Sequence, residues 1–168
     1  MAKNDFKLVL TKDSELRLKL LAKSGKADLR PTMKVIGTGY RKEVKEIFKR
    51  KQPRQAENRW DELSEPYGSI KASKYPSKGI LQRTGSLIDS VTKKGESGNI
   101  TIIGKTFGIF GTSVDYAKYH DDGTSKMPRR NFSEPSKIRF DIWKDQISRD
   151  ISRNFEKNGI KVDKDIFQ

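Results

Sequence analysis

From Pro31 onward the apolar residues Met33, Ile36, Tyr40, Val44, Ile47 and Phe48 recur at steps of mostly three and four, which places them on one stripe of an α-helix. Phe140, Trp143, Ile147, Ile151 and Phe155 repeat that rhythm in a second segment, with Ser133 as its expected N-cap, Pro135 in its first turn and Gly159 as its stop. Ahead of both, "FKLVLT" from Phe6 to Thr11 alternates like a short strand, and "SELRLKLLAKSG" reads as a brief helix ended by Gly25.

Between the two long helices the period changes twice. After Pro53, where the first long helix is expected to stop, residues 52–79 are polar and rich in Ser, Lys and Pro, with isolated Trp60, Tyr67 and Tyr75. They predict a long extended arm, ordered by folding back or by docking on a neighbour. Then Ile80, Leu81, Leu87, Ile88 and Val91 surround "RTGSL", where Thr84 would cap a short helix beginning at Gly85. "TKKGESGNITIIGKTFGIFGTSV" follows, with turn signals at Gly95 to Gly98 and at Gly104 to Lys105 between β-branched and aromatic runs. This predicts an antiparallel meander of about three strands covered by the final helix, and "IKVDKDIFQ" reads as a short tail, one strand at most. The fold class is α+β: a small meander packed against a long helix in the N-terminal half and a C-terminal helix, in a single domain spanning 1–168.

Composition sharpens this in three ways. Only 33% of the 168 residues are hydrophobic, so the core must be thin, yet 8 Phe, 5 Tyr and 2 Trp are more aromatics than a solvated chain carries. The absence of cysteine removes disulfides, thiolate metal sites and cysteine nucleophiles. Neither a membrane-length apolar run nor a signal-peptide pattern is present, and the expected compartment is the cytoplasm. With 36 Lys+Arg against 22 Asp+Glu, the formal charge of +14 attracts polyanions of any kind. Projected at about 100° per residue, Lys34, Arg41, Lys42, Lys45 and Lys49 share one flank of the first long helix, and Glu43 and Glu46 lie on another. That flank is a solvated face or a polyanion contact.

Candidate chemistry concentrates in "VDYAKYHDDGTSKMPRRNF", Val114 to Phe132, which holds the only histidine. As a metal site, His120, Asp121 and Asp122 point in different directions and lack a second histidine. As a hydrolase, His120 lacks a G-x-S-x-G nucleophile turn. As a carboxylate nuclease, Asp121 and Asp122 belong first to an Asp-Asp-Gly turn. "GTGYRK" and "GKTFGIFGTS" lack the phosphate-loop spacing. A structural corner accounts for more: Tyr116, Tyr119 and His120 on one face of a helical turn, Ala117 facing the sheet, Gly123 ending the turn, and Pro128 stiffening a strut from which Arg129 and Arg130 project toward carboxylates. No catalytic, cofactor-binding or metal-ligating residue is assigned.

The order "NRWDELS", "KGILQRTGSLIDSV", "IFGTSVDYAKYHDDG" and "MPRRNF" before a final helix resembles the phage virion morphogenesis family, also called the tail completion family, of Mu-like and related tailed phages. The resemblance spans roughly Arg50 to Phe155. Its pattern falls on Trp60, on Leu81, Thr84, Gly85 and Leu87, on Tyr116, Ala117, His120 and Gly123, and on Pro128, Arg130 and Phe132. Asp121 stands where the family usually has glutamine, and Asn131 where it usually has proline. The resemblance implies a non-enzymatic protein without cofactors that completes the tail or the head–tail joint. It also implies a homo-oligomeric ring in contact with other connector or tail proteins, present in the host cytoplasm during assembly and then in the virion neck or tail. Against this stand two alternatives from other classes: a non-specific DNA-binding protein using the basic flank, and a metal nuclease built on His120 and its aspartates. No helix-turn-helix, zinc or RNP signature supports the first.

Overall fold

The computed structural model describes residues 10–52 and 59–159. Six helices and one hairpin occur there in the order α1 (Lys12–Lys23), α2 (Arg30–Arg50), α3 (Tyr67–Lys74), α4 (Ser86–Thr92), β1 (Asn99–Ile103), β2 (Gly108–Thr112), α5 (Ala117–Asp122) and α6 (Lys137–Lys157). The class is α+β. Most of the strand expected at Phe6 to Thr11, the expected stop at Pro53 and the tail from Ile160 lie outside the described residues. No described helix is long and apolar enough to cross a membrane.

The central element is α2, whose six stripe residues are all buried. At about 1.5–3 kcal/mol per buried large apolar side chain, the stripe contributes on the order of 10 kcal/mol. Two glycines inside the helix cost about 1 kcal/mol each, so burial decides the outcome. The glycines have a use of their own. A methyl at Gly37 would stand inside the ring of Phe110 on β2, and one at Gly39 would lie 3.2 Å from the Trp143 indole nitrogen on α6. "GTGYRK" is therefore a pair of close-approach points, one on each flank of α2.

On the α6 side, the Thr32 hydroxyl donates to Asp150 at 2.8 Å and Arg139 pairs with the buried Glu43 at 3.3 Å. Helix α6 also packs on α1, with Arg17 lying over the ring of Phe155 at 5.7 Å. On the other side lie α4 and the hairpin, and the Leu29 N–H donates to the Lys105 carbonyl at 2.6 Å, tying the start of α2 to the hairpin turn. The final helix thus packs mainly on α1 and α2, while α2 and α4 cover the sheet. This corrects the expected layer order, and α2 standing between Trp143 and Phe110 is the reason.

Among the described residues the sheet has two strands, β1 and β2, antiparallel with Ile102 opposite Ile109, and not the three of the expected meander. The short helix expected after Thr84 is present as α4, with Leu87 and Val91, four apart, both turned inward, so the first of the two expected turns follows a helix and not a strand. The Gly95 to Gly98 turn then joins a helix to β1, with Gly95 and Gly98 both at positive φ. Helix α4 begins at Ser86, one residue after the expected start, with Gly85 as N-cap at φ +85° and Thr84 Oγ1 accepting from the Ser86 N–H at 3.3 Å. The N-cap of α6 is Ser136, not Ser133, whose hydroxyl is engaged elsewhere, and Pro135 precedes the helix. Helix α2 is closed by Lys51 in the left-handed region, with its N–H on Ile47 O.

The arm is also corrected. It contains a helix, α3, and its first described residues are packed, with Trp60 buried edge-on to Phe48 at 5.7 Å. Of the isolated aromatics, Trp60 folds back on the chain's own core, while Tyr67 and Tyr75 stay exposed.

Gly37→Ala tests the two-flank arrangement. The substitution adds helix propensity, but the Phe110 ring is also held close over Gly108 and cannot simply swing aside. We expect a net loss of about 1–3 kcal/mol by urea denaturation. A variant as stable as the wild type would show that the ring gives way freely.

Candidate functional site

Residues far apart in sequence converge where α5, the strut after it, and the segment 59–64 meet the end of α2. Phe132 is buried with its ring 5.5 Å from Phe48, and Trp60 Nε1 donates to Asn131 O at 3.2 Å. Gly123 ends α5 at φ +77°, where a side chain would also strike the Arg129 backbone nitrogen at 2.9 Å. The strut is pinned by a bridge between Thr124 and Met127, with Pro128 exposed just beyond it.

The two arginines behave differently. Arg129 stays at the surface, its Nε donating to Asp121 O at 3.1 Å and its other end 3.8 Å from Glu134. Arg130 is buried, and it does not project toward carboxylates as its sequence context suggests. Its N–H donates to His120 O at 2.7 Å, and its guanidinium donates to Asp61 O at 3.0 Å and Glu62 O at 3.3 Å. Backbone carbonyls of the arm are its acceptors, so Arg130 latches the arm to the corner. Burial lowers its pKa, and the charges of Asp61 and Glu62 oppose that shift. Lys71 of α3 makes a similar latch by donating to Gly79 O, with its pKa lowered by burial and then by Lys51 and Arg130.

Asp121 is the residue whose role sequence reasoning missed. Its side chain is buried, with Oδ1 accepting from the Phe132 N–H at 2.8 Å and the Ser133 N–H at 3.1 Å, and Oδ2 from the Ser133 hydroxyl at 2.6 Å. A carboxylate holding two backbone N–H groups and a hydroxyl is a structural clamp. Tyr40 of α2 is buried nearby, and its phenol pKa is pushed up by burial first and by the Asp121 charge second. Asp122 is exposed. His120 is half-buried, its ring 5.8 Å from Tyr116 and its Nδ1 buried without a hydrogen-bond partner. Among the described residues no group of three or more His, Asp or Glu could hold a metal ion. A cleft of about 90 Å³ opens beside the corner, walled by Tyr40, Ile109, Phe110, Asp121 and Phe132 among others. Typical small-molecule sites start near ~300 Å³.

The corner therefore gathers Trp60, Tyr116, His120, Gly123, Arg129, Arg130 and Phe132. It does not include Thr84 and Gly85, whose hydrogen bonds serve their own turn and the start of α4. Nor does it include the basic flank: Lys34, Lys42, Lys45 and Lys49 are exposed and Arg41 half-exposed, on the side of α2 turned away from its buried stripe. The chain matches no family model, no curated protein and no solved structure.

Arg130→Ala removes the charged donor from two arm carbonyls, and its effect falls on the monomer itself. We expect a loss of about 2–3 kcal/mol in stability, with faster amide exchange concentrated in residues 59–64. An unchanged melting temperature and exchange pattern would rule out the latch.

The His120 pKa lies below its ordinary 6.5, chiefly because burial disfavours the imidazolium and secondarily because Arg130 repels it. The unfolded chain therefore binds this proton more readily than the folded one. The contribution is complete above pH ~6.5 and is lost as pH falls from there through the folded-state pKa. Denaturation midpoints should drop on acidification through this window and lose that component in His120→Gln. Because the chain has one histidine, its NMR titration reads the group directly, and a midpoint at or above 6.5 would contradict the assignment.

Proposed function

We propose that this chain is a structural component of a tailed-phage virion, without enzymatic activity. It completes the tail or the head–tail joint as an oligomeric, ring-forming connector. The observation that supports the reading most directly is the hairpin. A two-stranded sheet is marginal alone, and here neither outer edge carries a further strand among the described residues. Its outer surface leaves Ile102, Phe107 and Ile109 each about half exposed. Open edges and apolar faces on a small domain are liabilities unless neighbours cover them.

Further support comes from the corner. Its buried polar groups are mostly consumed in holding backbone, and it presents Tyr116 and Tyr119 at the surface beside a braced strut. Such a rigid corner suits repeated docking. Partners in this reading are further copies of the chain and neighbouring connector or tail proteins, met in the host cytoplasm and retained in the virion.

Deleting the coding sequence from its parental phage or prophage tests the reading. Electron microscopy of the lysate should show filled heads and separate tails that do not join, restored by the wild-type chain in trans. Joined, infectious particles from the deletion would overturn it.

A further inference from the structure

We propose that the exposed face of α2 binds duplex DNA along its phosphate backbone without sequence preference. Lys34, Arg41, Lys42, Lys45 and Lys49 line one face over 15 residues, about 22 Å of helix at 1.5 Å per residue. None of the five forms an ion pair with a described carboxylate, and unlike the similarly unpaired Lys12, Lys23, Lys118, Lys126 and Lys157, which are scattered over other elements, they share one face of one helix. The carboxylates of the same helix are taken by other faces: Glu43 holds Arg139 and Glu46 holds Arg50. The five charges are thus left without internal compensation, on a rigid rod whose opposite side is locked into the core.

The chemistry of the face selects among polyanions. An acidic protein partner would be expected to need an apolar or aromatic anchor at the centre of the contact. This face offers Val35 and Thr38, and both aromatics of α2, Tyr40 and Phe48, are buried. Single strands are gripped by stacking on exposed aromatics, which are absent here. Base-edge reading needs planar or forked groups seated in a groove, and a line of mostly lysines supplies point charges instead. What remains is a linear array of cations suited to a stiff polymer of high linear charge density, where released counterions drive binding. The inference rests on a different face from the assembly reading and can stand or fall without it.

The test uses the full chain and a random-sequence 30-base-pair duplex, followed by fluorescence anisotropy between 50 and 200 mM NaCl. Five phosphate contacts predict a log–log salt slope of about −4.5, a loss of affinity of about 500-fold across that range. Two variants lower the net charge by the same five units. One replaces Lys34, Arg41, Lys42, Lys45 and Lys49 with Gln, and the other replaces Lys12, Lys23, Lys118, Lys126 and Lys157, exposed on other elements. The first should lose binding by about 100-fold or more at 100 mM salt, while the second stays within about threefold of wild type. Circular dichroism melts confirm folding, and should the fivefold variant unfold, Lys45→Gln alone should reduce the slope by about 0.9. Equal losses in the two fivefold variants would reduce the effect to bulk charge and overturn the proposal. Preference for a single strand of the same length, or equal competition by polyglutamate at equal charge, would overturn the choice of duplex DNA.

Discussion

A helix that must be approached closely from two sides sets the terms for the rest of this fold. Helix α2 takes Phe110 over Gly37 on one flank and Trp143 against Gly39 on the other. A larger residue at either point would push one layer outward, and with only 33% hydrophobic residues little else could refill the gap. The two flanks then divide the molecule. The α6 side is sealed by Glu43–Arg139 and Thr32–Asp150 as well as by packing, while the hairpin side is held by the Phe110 ring, the Leu29–Lys105 backbone bond and the α4 contacts.

The corner depends on α2 in turn. Phe48, near the C-terminal end of α2, touches both Trp60 from the arm and Phe132 from the strut, so three distant segments meet on one ring. Around that apolar contact the polar groups are arranged with an asymmetry. The buried carboxylate Asp121 holds N–H groups, and the buried cations Arg130 and Lys71 hold carbonyls. Each charged side chain thus satisfies backbone that secondary structure has left unpaired, which is how irregular chain can be buried at all. A buried charge used this way is worth keeping only while its partners stay in place, so the arm and the corner should loosen together.

Much of the architecture was legible because periodicity reports burial directly. The stripes of α2 and α6, the Gly104 to Lys105 turn and the brief helix after Asp115 all follow from spacing and turn chemistry. The short helix around Leu87, Ile88 and Val91 was legible too, while the strand count was over-read because the Gly95 to Gly98 turn follows that helix and not a strand. The order in the arm was hidden for another reason. Its latches join Arg130 to residues 68 and 69 positions away and end on carbonyls, which every residue has, so no side chain in "WDEL" announces them. Likewise, Asp-Asp-Gly reads as a turn, and nothing local tells which aspartate points inward. Tertiary contact chose Asp121.

The five unpaired cations of α2 and the exposed apolar residues of the hairpin lie on different faces, and that separation constrains how copies could come together. Each copy carries +14, so any ring concentrates like charge, and the repulsion is strongest where cations face one another within a Debye length of about 8 Å. Contacts made through the hairpin face or α5 would leave the five cations of α2 outside the joint, because those residues project opposite to the stripe that holds the hairpin. A polyanion lying on that face would then lower the electrostatic cost of association without entering the interface. Under this arrangement DNA and assembly would reinforce each other through charge alone, with no shared residue, and the coupling would weaken as salt screens it.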